Sequence, residues 1–152
     1  MSSRLPRTSA RERPENLAIL LREAFAALND QALARLAERG HGAVRPAHAA
    51  VFQYLDDAGT TVSALAERAQ MTKQSMAELV RHLEAHGYVE RIPDRNDRRA
   101  KLVRTTERGR AVFAIVREYV VESEARLDEL LGAARIRRLR EDLETLRRAV
   151  AE

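Results

Sequence analysis

The chain has 152 residues, 27 basic against 23 acidic, for a net charge of +4; that length suits one domain, or one domain with appendages, and the charge points only weakly to an anionic partner. Aromatic residues make up 4% and cysteine is absent, which implies an aliphatic helical core and excludes disulfides, thiolate metal sites and thiol-based oxidant sensing. No apolar run approaches the roughly 20 residues that span a bilayer, and the polar start MSSRLPRTSARERP lacks the apolar core of a signal peptide, so a cytoplasmic protein is expected.

Residues 1–13 read as a basic arm, with Arg4, Arg7, Arg11 and Arg13 against Glu12; it is either a solubilising tail or a contact to DNA. Pro14 to Arg39 predicts one long amphipathic helix carrying Leu17, Leu20, Leu21, Ala24, Phe25, Leu28 and Leu36 on or near one face, closed by Gly40. The run RPAHAAVFQYLDDAG predicts a helix from Pro46, at the favoured first position, to about Asp57. Its Ala50, Val51, Tyr54 and Leu55 pack it under the next two helices, and His41 and His48 flank the loop before it.

The stretch TVSALAERAQMTKQSMAELVRHLEAHG predicts a helix over Val62 to Ala69, a break at Gln70 to Thr72 and a second helix ending at Gly87, a helix-turn-helix. Leu65, Ala66 and Ala69 share one face of the first helix, while Met76, Leu79, Val80 and Leu83 form an i, i+3, i+4, i+7 stripe on the second. Opposite that stripe lie Lys73, Gln74, Ser75, Glu78 and Arg81. The N-terminal turn of such a second helix is the part that meets base edges in the major groove, and Gly87 suits the left-handed position that closes it.

The next segment, YVERIPDRNDRRAKLVRT, alternates as two short strands, Tyr88 to Pro93 and Ala100 to Thr105, around a polar tip at Asp94 to Arg99, forming a wing. It holds Arg91, Arg95, Arg98, Arg99, Lys101 and Arg104 against only Asp94 and Asp97. Arginine suits phosphates and a narrow minor groove because its planar fork donates several hydrogen bonds and is weakly hydrated. Of the 27 basic residues only Lys73 and Lys101 are lysine; genomic base composition accounts for such a bias as well as function does, so it is not read as a sign of DNA binding.

Thr106 is placed to cap a helix that carries Val112, Ile115, Val116, Tyr119, Val120 and Leu127 to about Leu131, where Gly132 breaks it. The last helix spaces Ile136, Leu139, Leu143, Leu146 and Val150 by 3, 4, 3 and 4, the a/d seam of helices packed at coiled-coil angles. Such a seam packs either within the chain or against a second subunit, and its flanking arginines and glutamates favour the second. The fold expected is mainly α with a small β-hairpin wing: a winged helix-turn-helix domain over 46–106, plus a helical dimerisation region from 14–40 and 107–152.

LAERAQMTKQSMAELVRHLEAHGYVER followed by DRNDRRAKLVRTTERG resembles the winged-helix core of the MarR family of bacterial transcription regulators, including the D-R-R of its wing and the T-E-x-G that opens the next helix. The resemblance implies a homodimer that binds double-stranded DNA at a pseudo-palindrome, with the recognition helices in successive major grooves and each wing tip in the adjacent minor groove. It also implies control by a small molecule; without cysteine, the peroxide-sensing form of the mechanism is excluded. Carried over by position, Thr72, Lys73, Gln74 and Ser75 make the recognition-helix contacts, with Ala77, Glu78 and Arg81 one turn on. Gln74 can pair bidentately with adenine, Lys73 can donate to guanine or a phosphate, and Glu78 either accepts from cytosine N4 or partners Lys73 or Arg81 along the helix. In the wing, Arg95 is the minor-groove probe, while Arg98 and Arg99 divide phosphate contact and a pairing with Asp97 between them. A crevice between the dimer helices and the head is expected to take an apolar anion such as a phenolic acid, with Arg45 as carboxylate partner and His48 and Tyr54 as polar groups.

Motifs for catalysis are missing: there is no GxSxG, P-loop, GxGxxG or HExxH. His82 and His86 form an i, i+4 pair, yet no third ligand stands at an evident spacing, so neither a metal nor another cofactor is expected. The biochemical role expected is therefore that of a regulator, a repressor in most such families, and not an enzyme. Ala77 and Glu78 replace the hydroxyl and basic residue common in relatives and leave the second helix uncharged overall, which keeps open an alternative: a winged-helix module that captures protein and does not read DNA.

Overall fold

Asn16 opens the first helix by accepting the Ile19 N–H on its side-chain oxygen at 3.0 Å. The computed structural model describes residues 16–150. The arm predicted over residues 1–13 lies outside the described residues, as does Pro14, and α1 spans Leu17–Glu38. Past its end Gly40 sits at φ +89°. There the His41 N–H returns to Leu36 O at 2.8 Å and the Gly40 N–H to Ala37 O at 3.1 Å, closing carbonyls the helix leaves open.

One turn of 3-10 helix, Pro46–His48, leads into α2, Ala49–Tyr54. The helix expected to continue to Asp57 ends early because Leu55 turns extended, at ψ 121°. The Asp56 N–H then bonds Thr60 Oγ1 at 2.9 Å, and Thr60 exchanges backbone hydrogen bonds of 2.9 and 2.8 Å with Val103. A bridge to a strand far along the chain thus replaces the last turn of helix.

Helices α3 (Val62–Arg68) and α4 (Lys73–Ala85) begin at Thr61 and Thr72, whose hydroxyls accept the N–H groups of Ala64 and Ser75, each at 3.1 Å. Both end as α1 does, with Met71 N–H on Ala66 O at 2.8 Å and Tyr88 N–H on Leu83 O at 2.9 Å. After α4 the left-handed position is held by Gly87, but after α3 by Gln70 at φ +53°. A side chain there costs roughly 1 kcal/mol.

Strands β1 (Val89–Pro93) and β2 (Lys101–Thr105) pair antiparallel, Val89 facing Thr105 and Pro93 facing Lys101. They are each one residue shorter than expected, because the Tyr88 N–H closes α4 and the Ala100 N–H bonds Asp97 O in the turn. Thr106 then stitches α5 (Glu107–Leu131) to the head: its hydroxyl donates to Gly87 O at 2.6 Å and accepts the Gly109 N–H at 3.2 Å. A Cβ at Gly109 would lie 2.6 Å from Thr105 Cγ2 and against Tyr88 O, so only glycine lets α5 approach this closely. Gly132 turns the chain into α6, Ala133–Ala149.

The core gathers in the head, where Val51, Leu65, Met76, Val80, Leu83, Tyr88 and Val103 are fully buried. Helix α1 is tied to α5 by Arg35–Glu122 and Arg39–Glu118 pairs, both at 2.7 Å, and by the Tyr119 hydroxyl donating to Leu28 O at 2.9 Å. Of the terminal seam, Ile136 is buried against α5, while Leu139 is 46% and Val150 74% exposed. On α1, Leu17, Leu20 and Phe25 are more than half exposed as well. No helix among the described residues is long and apolar enough to cross a membrane.

Candidate nucleic-acid interface

Met76, Val80 and Leu83 anchor one face of α4 in the core, which turns Thr72, Lys73, Gln74, Ser75, Glu78 and Arg81 outward, all exposed. Thr72 caps the helix and also donates its own hydroxyl hydrogen to Ser75 Oγ at 2.8 Å, so Ser75 retains a free hydroxyl hydrogen for an outside acceptor. Ala77 is half-buried. The expected ion pair of Glu78 with Lys73 or Arg81 does not form among the described residues: its carboxylate, like both cations, is left to solvent.

The six basic residues of the wing separate into two groups. Arg91 binds Glu84 of α4 at 3.1 Å and Arg104 binds Glu90 across the hairpin at 2.6 Å; these pairs hold the wing to the helix and its strands to each other. Arg95, Arg98, Arg99 and Lys101 are exposed and form no ion pair among the described residues. Asp97 was expected to pair with Arg98 or Arg99, and it does neither. Its carboxylate accepts the Arg99 backbone N–H at 2.9 Å, as Asp94 accepts that of Asn96 at 2.9 Å. An aspartate carboxylate that accepts an N–H two residues on makes a local turn without an arginine partner, so the tip is shaped by side-chain-to-backbone contacts and its arginine side chains form no ion pair among the described residues.

Two polar clusters, each built around a buried histidine, His41 or His48, stand behind this surface. Arg108 lies 4.7 Å from the Tyr88 ring centre and donates to the Tyr88 hydroxyl at 3.2 Å and to Gly40 O at 3.3 Å, while His41 Nδ1 meets the same hydroxyl at 3.2 Å. This knot ties the end of α1 to the start of α5 through the head. Burial, then the Arg108 charge, holds His41 below its ordinary pKa. The second is a stack of His48, His82 and His86, with ring centres 4.6 and 4.4 Å apart. His48 Nδ1 accepts the Arg45 backbone N–H at 2.9 Å and His82 Nε2 donates to Ala43 O at 2.9 Å, so this clasp holds α4 to the turn before α2. Burial first, then the neighbouring His82, Arg45 and His86, lowers the His48 pKa to about 4. Among the described residues no set of histidines and carboxylates converges on a metal.

A cavity of about 280 Å³ opens between α1, α2 and α5, lined by Asn29, Leu33, Arg45, Phe52, Gln53 and Phe113 among others. Phe52 and Phe113 meet edge to face in its wall, 5.3 Å between centres. Of the three polar residues expected here, Arg45 lines the cavity. His48 does not, because its ring is turned inward on His82, and Tyr54 does not, because it packs against the core. Asn29 and Gln53, polar positions that sequence reasoning passed over, stand in their place; nothing in the local pattern of α1 or α2 distinguished them from solvated residues.

Residues 44–100 match the model of the MarR family. Among solved structures, a MarR family transcription regulator superposes with a TM-score of 0.72 at 22% identity, covering 89% of this chain and 85% of its own. A variant of MepR from S. aureus gives 0.68 at 19% identity, covering 90% and 99%. Another MepR variant, bound to an oligodeoxyribonucleotide, gives 0.60 at 19% identity, again covering 90% and 99%. No curated protein sequence matches the chain.

Proposed function

We propose, from the match of residues 44–100 to the model of the MarR family, that the protein is a homodimeric, DNA-binding transcription regulator of the cytoplasm, a repressor that binds a pseudo-palindromic operator and is modulated by a small anionic ligand. The observation that carries this reading is the division of charge in the head. Arg91 and Arg104 are bound internally, whereas Lys73 and Arg81 of α4 and Arg95, Arg98 and Arg99 of the wing face outward without an ion partner among the described residues. Cations left open on two adjacent projections suit a polyanion that both can grip.

In this reading Gln74 and Ser75 meet base edges, Lys73 meets guanine or a phosphate, Thr72 and Arg81 flank them, Arg95 enters the minor groove and Arg98 and Arg99 hold phosphates. The exposed apolar residues of α1 and α6 support dimerisation, which sets the recognition helices roughly 34 to 36 Å apart. The cavity beside Arg45 lies where the dimer helices meet the head, so a ligand that fits one relative position better than another would shift operator affinity. Its apolar walls with one cation suit an aromatic or phenolic anion. Fluorescence anisotropy on the DNA upstream of its own gene, across a salt series and against scrambled DNA, tests the proposal: specific binding with a steep salt slope is expected, and absence of binding to any duplex at low salt would overturn it.

A further inference from the structure

The chain has 27 basic residues and only two of them, Lys73 and Lys101, are lysine. Far apart in sequence, the two line one groove of about 390 Å³, between the start of α3, the start of α4 and the base of the wing. Ser63, Arg91 and Arg99 line it with them, and no carboxylate does. Arg91 is neutralised by Glu84 at 3.1 Å; Lys73, Arg99 and Lys101 form no ion pair among the described residues. Three uncompensated cations therefore face one concave site.

We propose that this groove seats a single phosphodiester of the DNA backbone, gripped from the helix side by Lys73 and from the wing side by Lys101 and Arg99. This rests on the DNA-binding reading. An ammonium is a compact charge on a flexible stem that can approach one phosphate from any side, and the guanidinium fork of Arg99 can bind the same phosphate bidentately. Arg95 at the wing tip and Gln74 on α4 would read two different grooves, and the backbone that separates those grooves would run between them, over the seat. Lys101 is then a positioning residue: it carries no sequence information and fixes the register of wing against recognition helix. Under this assignment Lys73 goes to a phosphate, not to guanine.

The test is the salt dependence of binding for Lys101→Gln, with Lys101→Arg and Arg138→Gln as controls, on operator and scrambled duplexes. Arg138 is exposed on α6, far along the chain from the head. Lys101 supplies one of three cations on this phosphate, so its loss should lower the slope of log K against log salt by up to about 0.9, which at about 0.1 M salt is up to roughly an eightfold loss of affinity. The loss should be equal on both duplexes, Lys101→Arg should keep the wild-type slope, and so should Arg138→Gln. A Lys101→Gln slope equal to the wild type's overturns the seat while leaving the DNA-binding reading intact. An affinity loss confined to the operator overturns it too, because it would make Lys101 a base reader. Thermal unfolding in inorganic phosphate against chloride at equal ionic strength distinguishes the two sources of phosphate. Stabilisation of wild type by millimolar phosphate that Lys101→Gln abolishes, with the salt slope unmoved, would assign the groove to a free anion instead.

Discussion

The head and the helices that carry it leave opposite kinds of surface uncovered. In the head the apolar residues are enclosed, Leu65, Met76, Val80, Leu83 and Val103 without accessible surface, and what remains outside is charge. In α1 and α6 some charges pair across helices, as in Arg35–Glu122 and Arg140–Glu124, and beside the charged residues large apolar ones stay exposed, including Leu17, Phe25 and Leu139. A surface short of counter-charge calls for a polyanion, and one short of apolar cover calls for another apolar face. Two partners of different chemistry are thus implied by one chain, and each can be removed separately.

The largest effect is expected from the helices. Replacing Leu139 and Leu143 together by glutamate should give a monomer in sedimentation equilibrium with the head still folded, and operator affinity should fall by about 10²- to 10⁴-fold as bivalent engagement is lost. A variant that stays dimeric would show that these residues are not the subunit contact. Next, Gly109→Ala strikes the joint between the two regions. With no room for a methyl beside Thr105 and Tyr88 O, it should lower stability in urea unfolding by about 3 kcal/mol. A change below about 1 kcal/mol would mean that α5 can shift away from the wing without cost.

The histidine clasp belongs to the head alone, and pH separates it from the helices. His48 has a folded pKa of about 4, below its unfolded value near 6.5, so between those values the unfolded chain binds more protons and stability falls as pH falls. From pH 7 to pH 5 the expected loss is about 2 kcal/mol. His48→Asn, whose amide oxygen can stand in for Nδ1 as acceptor, should flatten that dependence; an unchanged profile would move the effect to His41 or elsewhere. The smallest effect is a gain. Gln70→Gly should stabilise by roughly 0.5 to 1 kcal/mol by releasing the left-handed side chain, and a loss would reveal a contact of Gln70 worth more than the strain.

What was legible in the sequence is what neighbouring residues decide. Thr106 caps its helix through an N–H three residues on, Gly40 and Gly87 close theirs, and the stripe of Met76, Val80 and Leu83 selects the buried face. What was not legible depends on residues distant in sequence. Leu55 leaves its helix because Thr60 pairs with Val103, and His48 turns inward because His82 offers a ring to stack on. Asp97 is the exception, since its partner is only two residues away; there the resemblance suggested a side-chain pair, and the local turn chemistry of aspartate was the better guide. The groove shared by Lys73 and Lys101 is invisible to any window along the chain.

Hydroxyl-radical footprinting on the operator reports on the head and the dimer helices in one experiment. Two protected half-sites are expected, centred about one helical turn, 10 to 10.5 base pairs, apart, each flanked by minor-groove protection that disappears in Arg95→Ala while the half-site spacing stays the same. A single protected site, or flanking protection indifferent to Arg95, would contradict the two-fold, wing-in-groove reading of this protein.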